Sequence, residues 1–134
     1  NQGAKEAGGK TIGLGISLPF EQKNNKWITK GLSFVYHYFF MRKFWFIYLT
    51  KGIVIFPGGG GTLDEFFEIF TLLQTKKISR EIPIVLFGKD FWEGLIDWDR
   101  LVANKLIAKE DLDLFIILDS VDETFDYLVE NMKS

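Results

Sequence analysis

Residues 57–65 read Pro-Gly-Gly-Gly-Gly-Thr-Leu-Asp-Glu, between an apolar run at 52–56 and an amphipathic stretch that begins at Phe66. This order predicts a strand, a glycine turn and a helix. The backbone N–H groups of such a turn can surround an anion, and the N-terminus of the following helix adds partial positive charge. The residue types therefore indicate a phosphate-binding turn.

Two common phosphate motifs do not match this turn. A Walker loop ends in Gly-Lys followed by Ser or Thr, whereas Gly61 is followed by Thr62 and Leu63. A dinucleotide fingerprint has glycines at its first, third and sixth positions, and counting from Gly58 the sixth position is Leu63. The sequence thus excludes a P-loop and a dinucleotide fingerprint at this turn.

A purely structural explanation covers part of the motif. Thr62 at the N-cap and Glu65 at the third helical position predict a capping box, which satisfies two helix N–H groups without a ligand. Capping does not explain four consecutive glycines, because one glycine suffices for a turn and each further one adds entropy to the unfolded chain. We therefore interpret the turn as backbone that a ligand approaches closely.

Arg42 and Lys43 lie in the most aromatic segment of the chain, residues 34–49, just upstream of the strand that leads into the turn. On a helix, Arg42 has aromatic residues one turn before it and one turn after it. A guanidinium in such surroundings needs an acceptor, which could be a carboxylate, helix carbonyls, or a ligand phosphate or ribose. We interpret Arg42 as a ligand-binding or catalytic residue. Lys43 has two equally good explanations. It could bind the ligand, or its long aliphatic side chain could carry the ammonium group from an apolar helix face to water.

The titratable residues narrow the possible chemistry. The chain has no cysteine, and its one histidine, His37, has no histidine partner, so we predict no metal site and a structural role for His37. Glu65, predicted in the first turn of its helix, would be kept ionised by the helix dipole, which suits electrostatic or base chemistry. Glu68 follows three residues later on the same face.

The composition predicts a folded domain that binds neither nucleic acid nor a membrane. A chain of 134 residues with 47% hydrophobic residues can bury a packed core. Sixteen basic and eighteen acidic residues give a net charge of −2, which argues against a nucleic acid partner. No segment reaches eighteen uninterrupted apolar residues and no leader opens the chain, so we expect a cytoplasmic location.

Strands and helices alternate along the sequence. We predict strands at 11–18, 52–56, 82–87 and 114–118, and helices at 2–7, 32–49, 63–77, 91–103 and 122–133. This alternation predicts an α/β, Rossmann-like fold, in which a parallel sheet has helices on both faces and ligands bind beyond the carboxyl ends of the strands. We expect residues 1–134 to be a single nucleotide-binding domain that forms the C-terminal part of a larger domain.

The order Pro57-Gly58-Gly59-x-Gly61-Thr62-x-x-Glu65, with Met41-Arg42-Lys43 upstream, resembles the Lonely-guy phosphoribohydrolases, and within them the longer bacterial branch. The resemblance extends over nearly the whole chain. It implies hydrolysis of the N-glycosidic bond of a nucleoside 5′-monophosphate, either AMP or a cytokinin nucleotide, to free base and ribose 5-phosphate. It also implies that no cofactor is required and that the protein forms a homodimer or a higher homo-oligomer.

The resemblance assigns roles by position. The implied residues are a catalytic pair, Arg42 and Glu65, and substrate-binding Lys43, Gly58, Gly59, Gly60, Gly61, Thr62 and Glu21. Glu65 would stabilise the positive charge that develops at the anomeric carbon and would orient or deprotonate water, while Arg42 holds the nucleotide. The family's earlier strand and its second glycine-rich turn have no counterpart in the sequence, so we expect the N-terminal strands of the sheet to be missing.

Two other functions fit the sequence less well. A nucleotide or molybdenum-cofactor carrier on the same scaffold would share the glycine turn and bind without turnover, but the pair of Arg42 and Glu65 favours an enzyme. Relatives are often labelled lysine decarboxylases. Pyridoxal chemistry needs a Schiff-base lysine with a partner for the pyridinium nitrogen, and the sequence singles out no such lysine.

Overall fold

The computed structural model describes residues 1–19, 25–79 and 81–132, which fall into two compact units, Asn1–Leu49 and Thr50–Ser134. The chain combines parallel strands with helices, which confirms the predicted α/β, Rossmann-like fold class. The expectation that residues 1–134 form a single domain stays a prediction.

The first unit contains two helices and two strands: α1 (Gln2–Glu6), β1 (Gly13–Ile16), β2 (Ser33–Tyr36) and α2 (Phe39–Tyr48). The strands are parallel, with Gly13 opposite Ser33 and Ile16 opposite Tyr36. Helix α1 is followed by Gly8, whose φ of 78° lies in the left-handed region that glycine adopts readily. The helix predicted at 2–7 is therefore confirmed, and a glycine follows its C-terminus.

The prediction of one buried helix over residues 32–49 is wrong. Residues 33–36 form β2, because this aromatic and β-branched stretch finds a parallel partner in β1. Helix α2 is ten residues long, and Ile47 is its buried residue. None of the helices in the described ranges has the length and hydropathy that crossing a bilayer would require.

The second unit has a three-stranded parallel sheet in the order β3-β4-β5. Its elements are β3 (Ile53–Ile55), α3 (Gly60–Gln74), β4 (Ile84–Phe87), α4 (Lys89–Trp92), α5 (Trp98–Ala103), a 3₁₀ helix (Lys109–Leu114), β5 (Phe115–Leu118) and α6 (Val121–Asn131). Three consecutive residues of β4, Ile84 to Leu86, are fully buried, so both faces of the central strand are covered. The strands predicted at 52–56, 82–87 and 114–118 are confirmed.

An aromatic cluster holds α3 against this sheet. The helix buries Phe66, Ile69 and Phe70, which share one face at the spacing of a helical turn. The Phe66 ring lies 5.9 Å from the Trp92 ring and 5.6 Å from the Phe115 ring, in edge contacts. The cluster therefore fixes the direction of α3 and with it the position of the helix N-terminus.

The helix predicted over residues 91–103 is two helices. Glu93 leaves the helical conformation with ψ of 124°, and Gly94 follows with φ of 80°. Helix α5 then starts at Trp98, with Asp97 as its N-cap, whose carboxylate accepts a hydrogen bond of 2.9 Å from the Arg100 N–H. The left-handed conformation of Gly94 and the second N-cap at Asp97 thus divide the segment that the sequence pattern predicts as one helix.

Candidate functional site

The glycine turn connects β3 directly to α3. Helix α3 begins at Gly60 with Gly59 as its N-cap, and the N–H groups of Thr62 and Leu63 both donate to the Gly59 carbonyl, at 3.0 and 3.1 Å. The predicted N-cap at Thr62 and its capping box with Glu65 are therefore wrong. The packing of α3 and these backbone hydrogen bonds outweigh the low helix propensity of glycine.

The four glycines of the turn fall into two groups. A Cβ on Gly58 would overlap the Thr62 hydroxyl and come within 2.8 Å of the Thr62 Cβ, so packing within the chain requires glycine there. At residues 59–61, by contrast, an added Cβ meets nothing within 4 Å, and no φ lies in the left-handed region. The fold therefore does not require glycine at these three positions.

The open part of the turn has the electrostatics of an anion site. In the first turn of an α-helix, the N–H groups of residues such as Gly60 and Gly61 have no carbonyl four residues back in the helix. The first turn of this 15-residue helix contains no acidic residue. An anion would meet backbone N–H groups and the positive end of the helix dipole without repulsion from a first-turn carboxylate.

Glu65 lies on the same helix, but not where the sequence placed it. It is the sixth residue of α3, about 7.5 Å along the helix axis from Gly60. The prediction that Glu65 lies in the first turn of the helix, where the helix dipole acts most strongly, is therefore wrong. The side chain is half-buried and interacts within the chain. The glycine turn and the Glu65 carboxylate are thus connected by one helix, with Thr62 half-buried between them.

The loop after β4 borders the turn and was missed by sequence reasoning. Gly88 has φ of 103°, and its N–H donates to the Leu118 carbonyl at 2.8 Å. A Cβ on Gly88 would lie 3.3 Å from Cγ of Pro57. The signal available in the sequence is a glycine directly after the predicted buried strand at 82–87.

The other predicted site residues belong to the first unit or to undescribed positions. Arg42 and Lys43 are half-buried on α2 and both interact within the chain, and the Arg42 Nε atom is buried. Glu21 lies outside the described residues. His37 follows β2 and is exposed. The second unit therefore brings together residues 58–62 and Glu65, while Arg42 and Lys43 are neighbours in the first.

Comparison with known families identifies the chain. The sequence profile of a family described as possible lysine decarboxylases matches residues 1–128. The chain belongs to this family. The match confirms the Lonely-guy family predicted from the glycine turn, and membership supports a phosphoribohydrolase-type function related to nucleotides. A search among curated proteins gave no match.

The described residues do not fit the pyridoxal cofactor that the family's description suggests. A pyridoxal enzyme needs an enclosed lysine for the Schiff base and a partner for the pyridinium nitrogen. In the described ranges every lysine except Lys43 is exposed, and Lys43 lies on α2, a helix with no acidic residue. The same ranges contain no group of three His, Cys, Asp or Glu side chains that could hold a metal ion.

Proposed function

We propose that this protein is a cytoplasmic hydrolase that cleaves the N-glycosidic bond of AMP or cytokinin nucleotides, giving free base and ribose 5-phosphate without a cofactor. The observation that carries the proposal is the open glycine turn, whose residues 59–61 are glycine although the fold does not require it. A 5′-phosphate is an anion of the kind that a helix N-terminus binds. Family membership supports a reaction of the phosphoribohydrolase type.

In this reaction the helix α3 would carry both the phosphate site and the catalytic carboxylate. The bond between C1′ and the base nitrogen breaks, its electron pair leaves with the base, and positive charge develops on the ribose. Glu65 would stabilise that charge and accept a proton from the water whose oxygen bonds to C1′, while the departing base takes up a proton. Arg42, Lys43, Thr62 and Glu21 would contact the nucleotide.

The experiment that tests this proposal compares AMP, isopentenyl-AMP and adenosine as substrates. Chromatography should detect free base from both nucleotides, with ribose 5-phosphate formed in equal amount. Adenosine lacks the phosphate that the turn would bind, so its turnover should be at least about a hundredfold slower, because remote binding energy supports catalysis. AMP that binds without release of base would instead support a nucleotide or molybdenum-cofactor carrier.

We also propose that α2 mediates a homodimer or a larger homo-oligomer. Phe40, Phe44 and Tyr48 recur every four residues on one face of this helix and are 66%, 52% and 57% exposed. The rings of Phe44 and Tyr48 stack at 5.2 Å. A contiguous exposed aromatic face is typical of protein interfaces, where aromatic residues are enriched.

Replacing Phe44 with aspartate is expected to shift the protein to a monomer, because a charge on this face would be buried unpaired in the interface. Light scattering coupled to size-exclusion chromatography measures the change. Phe125→Asp on α6 is the matched control, since Phe125 is 64% exposed and should leave the assembly intact. A monomeric wild type, or a Phe44→Asp variant that keeps the wild-type mass, would contradict the proposal.

A further inference from the structure

Phe56 is a large aromatic side chain exposed at the point where the glycine turn begins. It follows β3 directly and is 60% exposed. The register of the parallel strands β3 and β4, extended by one residue, places Phe56 beside Phe87. The two rings lie 5.3 Å apart at an interplanar angle of 48°. Phe87 therefore supports the Phe56 ring from one side, while a large part of the ring surface stays open to solvent.

The position of Phe56 suits the base of a nucleotide whose phosphate occupies the turn. Phe56 and Gly59 are three positions apart in the chain, so their α-carbons are at most about 11 Å apart. This upper limit keeps the Phe56 ring within reach of the base of a nucleoside monophosphate whose phosphate lies at the turn. Both residues also follow the carboxyl end of β3, the edge at which parallel α/β sheets bind ligands.

The buried core of the unit does not include Phe56. The aromatic cluster under α3 includes Phe66, Phe70 and Phe115, whereas strand alternation places Phe56 on the face opposite to the buried Ile53 and Ile55. Exposure alone would be unremarkable, since single exposed apolar residues are common. What distinguishes Phe56 is that it adjoins the open glycine turn.

We infer that Phe56 is the surface on which the base of the nucleotide stacks, an inference that rests on the proposed function of the turn. Every base has a π-face, so stacking accepts bases with different exocyclic substituents. Phe56 would thus bind the aromatic base of the nucleotide and contribute nothing to the binding of ribose 5-phosphate, which has no base. Alanine at such a stacking residue weakens binding by about 5- to 150-fold.

Titration calorimetry with AMP and with ribose 5-phosphate tests the inference, in a Glu65→Gln background that should bind AMP without cleaving it. Phe56→Ala should weaken AMP binding by about 5- to 150-fold and change ribose 5-phosphate binding by less than about twofold. Phe56→Tyr keeps an aromatic ring and should restore AMP binding. Phe125→Ala is the matched control, because Phe125 is 64% exposed on α6 and should alter neither affinity.

The outcomes separate this inference from the proposed hydrolysis. Unchanged AMP affinity in Phe56→Ala, or equal weakening of both ligands, overturns the role of Phe56. Selective loss of AMP affinity without any release of base by the wild type supports Phe56 and contradicts hydrolysis. A wild type that binds neither ligand overturns both.

Discussion

Replacing Glu65 with glutamine is expected to stop the release of base from AMP and to leave AMP binding intact. Glutamine has nearly the same size as glutamate, but it carries no charge and cannot take a proton from water. Loss of a positioned general base lowers the rate by about 10²- to 10⁴-fold. Because the lost interaction is made mainly in the transition state, kcat should fall and KM should change little.

A neighbouring carboxylate provides the control for this variant. Asp64 precedes Glu65 on α3 and is exposed, so Asp64→Asn removes the same charge at nearly the same distance from the turn. It should retain activity within about twofold. An equal loss in both variants would indicate a general effect of charge, and full activity in Glu65→Gln would show that Glu65 is not the catalytic carboxylate. Melting curves of both proteins would confirm that they are folded.

The sheet of the second unit was predictable because its strands leave a local signal. Buried parallel strands are short apolar runs bounded by turn residues, as at 52–56, 82–87 and 114–118. The stretch 32–49 is also apolar, and its composition does not separate β2 from α2. That boundary depends on pairing with β1, twenty positions earlier, which no local pattern records.

The glycine turn of the candidate site was predictable from the sequence, whereas the position of its helix start was not. Four glycines before an amphipathic stretch indicated the turn. Helix propensity then placed the N-terminus at Thr62, because glycine disfavours helices, whereas the packed helix starts at Gly60. The close approach of Gly88 to Pro57 brings together two loops that are 31 positions apart in sequence, so it could be seen only in the structure.

Replacing Gly61 with alanine is expected to raise the stability of the protein and to lower its turnover. The added Cβ meets no atom within 4 Å, and alanine reduces the entropy of the unfolded chain, so the free energy of unfolding should rise by about 0.5 to 1 kcal/mol. The melting temperature should increase by about 2 to 5 °C. In the complex the same Cβ would displace the phosphate, and a shift of about 1 Å can reduce the rate a hundredfold.

Two further glycines separate the contributions to this result. Gly3→Ala in α1 also adds a Cβ to open space and should raise stability without affecting turnover. Gly58→Ala should lower stability, because its Cβ would overlap the Thr62 side chain. If Gly61→Ala lowered stability, the fold would require that glycine; if it left turnover unchanged, no phosphate would approach the turn. A gain in stability together with a loss of turnover would show that the fold tolerates a side chain at position 61, whereas the bound ligand does not.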